Sequence, residues 1–214
     1  MHEFELINKY FSKLSNNNKS SLNLNDDVFF KKYKCLIISV DTYVEGIHFI
    51  NFKNPNLVIK KIIRSSISDL ICKGVKPKYY FISGSGNKKS FSALNLVKIS
   101  NSLKQEQKKY QILLAGGDTV LSSKLSFTVT SIGFSKKIIY RNNAKLNDDI
   151  YVTGNLGDSY AGLRILKKKI FTNKNLKRYF VNRYYLPYLH LKLTNKLLSF
   201  ANTSIDISDG LITD

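Results

Sequence analysis

Short apolar runs alternate with longer amphipathic stretches in this sequence, and that alternation most constrains its fold. The runs "CLIISVD", "KYYFIS" and "QILLAGGDT" have the length and composition of buried strands. Between them, "LVIKKIIRSSISDLICK" and "FSALNLVKISNSLKQEQKKY" have the length and periodicity of helices. A fourth strand is predicted in "KLSFTVTSIGF", where apolar and polar residues alternate. The pattern predicts a mixed α/β protein.

Helix-terminating residues bound the first of these helices. Asn54 followed by Pro55 marks its start, because proline fits the first helical position, and Gly74 marks its end. An earlier stretch, "FELINKYFSKL", places apolar side chains along one side of a predicted helix.

The sequence beyond these strands predicts a second unit. "DDIYVTG" has the composition of a further strand, and "YAGLRILKKK" and "LHLKLTNKLLSFA" have helical patterns. We expect the boundary between the two units near Lys145 to Asp148.

The 214-residue chain is strongly basic, with 34 Lys and Arg against 15 Asp and Glu and a formal charge of +19. Such a charge favours a nucleic acid, an acidic lipid or a phosphorylated ligand as partner. The basic residues are nevertheless spread along the whole chain and form no single stripe, which favours a solvated surface. We therefore predict no nucleic-acid partner.

The two cysteines, Cys35 and Cys72, lie in apolar segments without metal-ligand spacing, as reduced core thiols do. This indicates a cytoplasmic protein. No apolar stretch approaches the roughly 20 residues of a membrane helix, and the acidic start of the chain is not typical of a secretory signal. No membrane partner is expected.

Aspartates occur at unusual places in this basic chain. Asp41 and Asp118 end apolar strands, Asp206 and Asp209 flank a serine, and Asp69 interrupts a helical stretch although aspartate is a poor helix former. Carboxylates gathered at strand ends repel one another unless cations bridge them. Oxygen ligands from several segments suit Mg²⁺ bound to substrate phosphates.

Each signal taken alone has a simpler explanation. A strand-end aspartate is usually a turn residue or a helix cap, His48 could be a packed loop residue, and Glu45 a surface one. The glycines of "GGDT" allow close backbone approach to a ligand, but a Gly-Gly pair before an acid is also a common turn. The sequence contains neither GxxxxGK[ST] nor GxGxxG, so P-loop and Rossmann sites are not predicted.

Taken together and in order, the motifs resemble a known family. "NDD", "SVDTYVEGIHF", "SDLICKG", "GGDT", "YRNNAKLNDDIYVTGNLGDSYAGL" and "IDISDGL" are similar to the motifs of thiamine-monophosphate kinases, in the superfamily of aminoimidazole ribonucleotide synthetase. "DTYVEGIHF" and "IDISDGL" are the most specific. The resemblance covers nearly the whole chain.

The resemblance implies an aminoimidazole ribonucleotide synthetase-like N-terminal domain over residues 1–147. This domain has a mixed or antiparallel sheet with flanking helices, and it pairs with its copy in a homodimer. Residues 148–214 correspond to the start of a C-terminal α/β domain that is incomplete here. The chain is therefore expected to be a fragment of a kinase, and its own activity is left open.

The resemblance also implies roles for individual residues. The implied ligands of several Mg²⁺ ions are Asp27, Ser39, Val40 (through its carbonyl), Asp41, Asp69, Asp118, Asp206 and Asp209. The implied ATP-binding residues are Gly117, Asp118, Arg141 and Ser208. His48 corresponds to a substrate-binding histidine, and we expect a structural role for Glu45.

The implied reaction transfers the γ-phosphoryl group of ATP to thiamine monophosphate, giving the diphosphate. Because the acceptor is already an anionic phosphate, no catalytic general base is expected. Several Mg²⁺ ions and an arginine offset the repulsion between the two polyanions.

The chain departs from the family pattern at several turns. Asn23-Leu24-Asn25 replaces Gly-x-Gly before the acidic pair, Asn143 and Asn147 replace glycines, and Leu146 replaces a proline. Asparagine tolerates the left-handed backbone better than other non-glycine residues, so these turns can be kept.

Two alternative functions stay open at this point. One is another ATP-dependent enzyme of the superfamily, such as selenide-water dikinase or aminoimidazole ribonucleotide synthetase. The other is a non-catalytic basic protein that binds nucleic acid or a partner through its charge, with binding that weakens as salt is added.

Overall fold

The structure, a computed structural model, describes Leu22, Asp26 and residues 28–214. The predicted helix in "FELINKYFSKL", the segment 23–25 and Asp27 lie outside the described residues.

A mixed sheet forms the centre of the described part of the chain. Its strands are β1 (Phe29–Lys31), β2 (Leu36–Val44), β3 (Pro77–Gly86), β4 (Leu113–Leu121) and β5 (Ser126–Phe134). They lie in the order β1-β2-β5-β3-β4, with β3 and β4 parallel and the other pairs antiparallel. The four strands predicted from "CLIISVD" to "KLSFTVTSIGF" and the mixed sheet are confirmed.

Helices cover the sheet and continue beyond it. They are α1 (Pro55–Cys72), α2 (Ala93–Tyr110), α3 (Asp158–Leu166), α4 (Lys174–Tyr185) and α5 (Leu191–Phe200). α1 begins at Pro55, as predicted, and Gly74 just beyond its end has φ +76°. A Cβ atom on Gly74 would lie 2.7 Å from Cγ of Leu198. This position therefore requires glycine both for its backbone conformation and for the close approach of α5.

α1 is the central helix of the core. It contacts β2, β3 and β5 on one side and α2, α4 and α5 elsewhere. Its residues Ile59, Ile62, Ile63 and Ile67 are fully buried and pack in one cluster with Val129 of β5. Burial of each isoleucine contributes about 1.5–3 kcal/mol, so α1 is held firmly against the strands that carry the predicted acids.

Two features of the chain after β5 differ from the prediction. The predicted strand in "DDIYVTG" is wrong, because residues 148–154 have no regular structure. Ile150 and Tyr151 are 88% and 85% exposed, and no strand of the described residues pairs with this segment. A β-strand needs a neighbour to accept and donate its backbone hydrogen bonds, which short-range composition does not reveal.

The helix α4 was missed because its lysine- and arginine-rich sequence buries little. Only Tyr184 and Tyr185 are buried in it. Its start carries a readable signal, since the Asn173 side chain accepts a hydrogen bond from the backbone N–H of Leu176 at 3.0 Å. Asparagine is a favoured N-cap residue.

No helix among the described residues combines the length and the apolar character needed to cross a membrane.

Candidate active site

The predicted ligands of β2 alternate between the two faces of the sheet. Ser39 is buried and Asp41 is half-buried, whereas Val40 is 61% exposed. Successive side chains of a strand point to opposite faces, so Ser39 and Asp41 lie on the face that carries α1. The side chain of Val40 faces away and leaves only its backbone for binding.

α1 brings a second carboxylate to this face. The Ser39 hydroxyl donates a hydrogen bond to Asp69 Oδ2. One turn earlier on α1, the hydroxyl of Ser66 is hydrogen bonded to the hydroxyl of Ser131 on β5 at 2.8 Å. Both serines are fully buried. These polar contacts fix the register of α1 against β2 and β5 and explain why Asp69 interrupts an apolar helix.

The "IDISDGL" segment reaches the same place from the end of the chain. The Ser68 hydroxyl donates to Asp206 Oδ2, across 138 residues of sequence. Four predicted site residues thus lie together. The group, called here the acidic cluster, consists of Ser39, Asp41, Asp69 and Asp206.

The electrostatics of the acidic cluster are those of crowded carboxylates. Burial, followed by the negative charge of Asp206, raises the pKa of Asp41 to about 6. Hydrogen bonds from Tyr43, whose hydroxyl lies 3.3 Å from Asp41 Oδ2, and with Asp69 oppose this rise in pKa. Burial and the neighbouring carboxylates also raise the pKa of Tyr43. A cation at this position would stabilise the ionised form of Asp41.

Two predicted ligands lie apart from the acidic cluster. Asp118 is exposed on β4, where its Oδ1 accepts from the N–H of Thr119 at 2.7 Å. Asp209 is exposed, and its backbone N–H donates to the Asp214 carboxylate at 3.0 Å. Among the described residues, neither side chain has a hydrogen bond or ion pair with the cluster.

The ATP-binding residues implied by the resemblance are also spread out. The N–H of Ser208 donates to the Asp214 carboxylate at 2.8 Å, in the same turn as Asp209. Gly117 allows β4 to approach β3, because a Cβ atom there would lie 1.9 Å from the carbonyl oxygen of Ile82. This close packing of strands accounts for Gly117 without a ligand.

Comparison with known proteins decides the family. Residues 25–135 match the family model described as AIR synthase related protein, N-terminal domain. The thiamine-monophosphate kinase of Buchnera aphidicola from Acyrthosiphon pisum is 39% identical, over 99% of this chain and 67% of that protein. The chain belongs to the thiamine-monophosphate kinase family.

A further sequence and a solved structure agree with that assignment. The thiamine-monophosphate kinase of Haemophilus influenzae is 33% identical, over all of this chain and 66% of that protein. The structure of AaThiL complexed with AMPPCP and TMP has a TM-score of 0.88 and 28% identity, covering 99% of this chain and 67% of that one. The chain thus spans about two thirds of the length of these thiamine-monophosphate kinases, and the mixed α/β fold predicted from sequence is confirmed.

The loop after β2 is held by its own side chains in this kinase-family chain. The N–H of Val44 donates to His48 Nδ1 at 2.9 Å, so the other ring nitrogen, Nε2, carries the proton of the neutral imidazole. His48 is exposed, which leaves Nε2–H available as a donor. Glu45 Oε1 accepts from the N–H of Phe52 at 3.0 Å, in agreement with the predicted structural role.

Sequence reasoning missed Lys73, the residue that follows α1. It is fully buried, and its Nζ lies 3.3 Å from Asp26 Oδ1 and 3.1 Å from the carbonyl oxygen of Ser204. Nothing in the sequence separates this lysine from the other basic residues of the chain, apart from its place between the apolar "LIC" and Gly74.

The acidic cluster fits a Mg²⁺ ion that is shared with a substrate. Among the residues described, no three His, Cys, Asp or Glu side chains are arranged to hold a metal by themselves. Mg²⁺ is commonly bound through only one or two carboxylates, with waters and substrate phosphates completing its coordination. The carboxylates and the serine hydroxyl of the cluster are hard oxygen donors of that kind.

Proposed function

We propose that this chain carries the ATP- and Mg²⁺-binding part of a thiamine-monophosphate kinase, which phosphorylates thiamine monophosphate to the diphosphate. The observation that carries the proposal is the crowding of Asp41, Asp69 and Asp206 against β2. The names of the related kinases and the AMPPCP and TMP bound in AaThiL support the two substrates.

In this proposal the acidic cluster would hold Mg²⁺, with further ions at Asp27, Asp118, Asp209 and the carbonyl of Val40. The ions would offset the negative charge of the phosphate oxygens while the phosphoryl group is transferred from ATP to the acceptor. Gly117, Asp118, Arg141 and Ser208 would bind ATP, and Nε2–H of His48 would donate to the thiamine monophosphate. The acceptor phosphate needs no base, because its oxygen is already ionised.

The test is isothermal titration of the purified chain with AMPPCP, with and without Mg²⁺. Asp41→Asn is expected to lower the Mg²⁺-dependent affinity by at least about tenfold, because it removes a charged oxygen ligand. Asp149→Asn, which changes an exposed aspartate of the second unit, is the matched control and should bind as the unchanged chain does.

Mg²⁺-independent binding, or equal affinity of the two variants, would contradict the proposal. Turnover of thiamine monophosphate, rather than selenide or the precursor of aminoimidazole ribonucleotide, identifies the substrate among the enzymes of the superfamily. A nucleic-acid binder would instead show association that needs no Mg²⁺ and weakens steeply with salt.

We also infer that two copies pair through β4. This edge strand is nine residues long, and its apolar residues Leu113, Val120 and Leu121 are 53%, 49% and 69% exposed. On the neighbouring strand β3, the apolar residue Phe81 is also 40% exposed. A long apolar edge invites pairing with another chain.

Leu121→Lys is expected to shift the chain from dimer to monomer in sedimentation velocity. A buried lysine would lose its hydration at the interface, at a cost of several kcal/mol. Ile212→Lys, at a fully exposed apolar residue elsewhere, is the control. A monomeric unchanged chain would contradict the inference.

We place the boundary of the two domains, 1–147 and 148–214, at Lys145 to Asp148. The segment 135–157 between β5 and α3 lacks helix or strand, which supports a boundary there. We infer a cytoplasmic location because Cys35 and Cys72 lie in apolar segments without metal-ligand spacing, as reduced core thiols do.

A further inference from the structure

The end of α1 carries a lysine whose environment differs from that of a surface lysine. The side chain of Lys73 is completely buried, and that of Asp26, its ion-pair partner, is 4% exposed. A buried ammonium group is costly unless it is paired and hydrogen bonded. Lys73 meets both conditions through Asp26 and the carbonyl oxygen of Ser204.

The partners of Lys73 come from segments far apart in sequence. Asp26 lies before β1, and Ser204 lies two residues before Asp206 of the acidic cluster. Asp26 Oδ2 also accepts a hydrogen bond from the backbone N–H of Arg141 at 3.3 Å. Lys73 therefore joins the region before β1, the Arg141 region and the "IDISDGL" segment at one buried point.

The backbone of Lys73 strengthens this junction. Its N–H donates to the carbonyl oxygen of Asp69 at 3.3 Å, and its carbonyl oxygen accepts from the N–H of Ile139 at 3.1 Å. Asp69 belongs to the acidic cluster, and Ile139 lies two residues before Arg141. The main chain and side chain of this one residue thus contact four segments that carry proposed metal or ATP ligands: the end of α1, the region before β1, the Arg141 region and the "IDISDGL" segment.

We propose that Lys73 is a positioning residue for the metal and nucleotide site. Its ammonium group holds the Asp26 carboxylate and the main chain at Ser204 in place. Asp206 and Arg141 therefore already face the phosphate site before the ligand binds, and their segments need not become ordered on binding. This proposal rests on the proposed kinase function. Replacing a residue that orients a metal ligand, without binding the metal itself, lowers metal affinity by about 10- to 100-fold.

The chain supplies a matched control for a purely structural ion pair. Arg64, which lies within α1 and is buried, pairs with the buried Glu106 at 2.8 Å and donates to the carbonyl oxygen of Pro187 at 3.3 Å. Among the described residues, both cations therefore bind a carboxylate and a distant carbonyl oxygen. Only Lys73 is joined to the segments of the proposed site.

The experiment compares Lys73→Met and Arg64→Met in two titrations. The first measures Mn²⁺ binding by electron paramagnetic resonance, and the second measures AMPPCP binding at increasing Mg²⁺ concentrations. Both variants are expected to lower the melting temperature. Lys73→Met should raise the dissociation constant for Mn²⁺ by about 10- to 100-fold, whereas Arg64→Met should leave it within about twofold. Lys73→Arg, which keeps the positive charge, should recover much of the loss.

If Lys73→Met does not fold, the double variant Asp26→Asn/Lys73→Met removes both buried charges and replaces it in the comparison. Equal Mn²⁺ affinity of the Lys73 and Arg64 variants would overturn the inference while leaving the kinase function intact. An unchanged chain that binds neither Mn²⁺ nor AMPPCP would overturn the proposed function itself.

Discussion

Ionisation of Asp41 is expected to lower the stability of the metal-free chain as the pH rises from about 4 to about 6. The pKa of Asp41 is about 6 in the folded chain and near its ordinary value of 3.8 when unfolded. Between these values the folded state binds more protons than the unfolded state, so the free energy of unfolding falls as protons leave. The contribution of Asp41 is at most about 3 kcal/mol, at 1.36 kcal/mol for each unit of pKa.

Urea unfolding in EDTA at pH 4, 5, 6 and 7 measures this effect. Other paired carboxylates add stability as the pH rises, so the informative quantity is the difference between the unchanged chain and Asp41→Asn. That difference should grow in favour of Asn between pH 4 and pH 6 and stay constant above. Asp149→Asn should show no such trend, and a flat difference for Asp41→Asn would contradict the burial-raised pKa.

Mg²⁺ should reverse the loss at pH 7. An ion that binds the folded chain and not the unfolded one stabilises it in proportion to the logarithm of its concentration over its dissociation constant. Because the ion favours ionised Asp41, the gain should be large at pH 7, small at pH 4 and much reduced in Asp41→Asn. Equal gains at both pH values would place the Mg²⁺ elsewhere.

Glu106→Gln is expected to lower the free energy of unfolding by about 3–5 kcal/mol. Arg64 donates to both oxygens of Glu106, at 2.8 and 2.9 Å, with both side chains buried between α1 and α2. The variant leaves the guanidinium charge buried without a countercharge. Since domains are stable by only about 5–15 kcal/mol in total, this loss should be evident at room temperature.

The double variant Arg64→Met/Glu106→Gln separates the charge from the packing. It removes the unpaired charge and should lose much less stability than Glu106→Gln alone. Glu45→Gln, at an exposed glutamate that accepts only the N–H of Phe52, is the control for the amide substitution. A double variant as unstable as the single one would mean that the ion pair itself, rather than the unpaired charge, sets the cost.

The sequence alone determined the elements whose signals are local. α1 shows in the sequence as isoleucines repeating every three or four residues between Pro55 and Gly74. β5 shows as apolar and polar residues that alternate every second position. The placement of Asp41 and Asp69 at odd positions also pointed to a site. The ligand roles came from the resemblance to the kinase family and not from these patterns.

Only the tertiary structure decided which of these residues meet. Ser68 reaches Asp206 across 138 residues, and Lys73 reaches Asp26 and Ser204 from the end of α1. The tertiary structure also showed that "DDIYVTG" has no partner strand in the part of the chain that is described, and that α4 packs through two buried tyrosines. The physical reason is that periodicity and turn chemistry are properties of adjacent residues, whereas pairing, burial and the pKa of Asp41 depend on how distant segments pack.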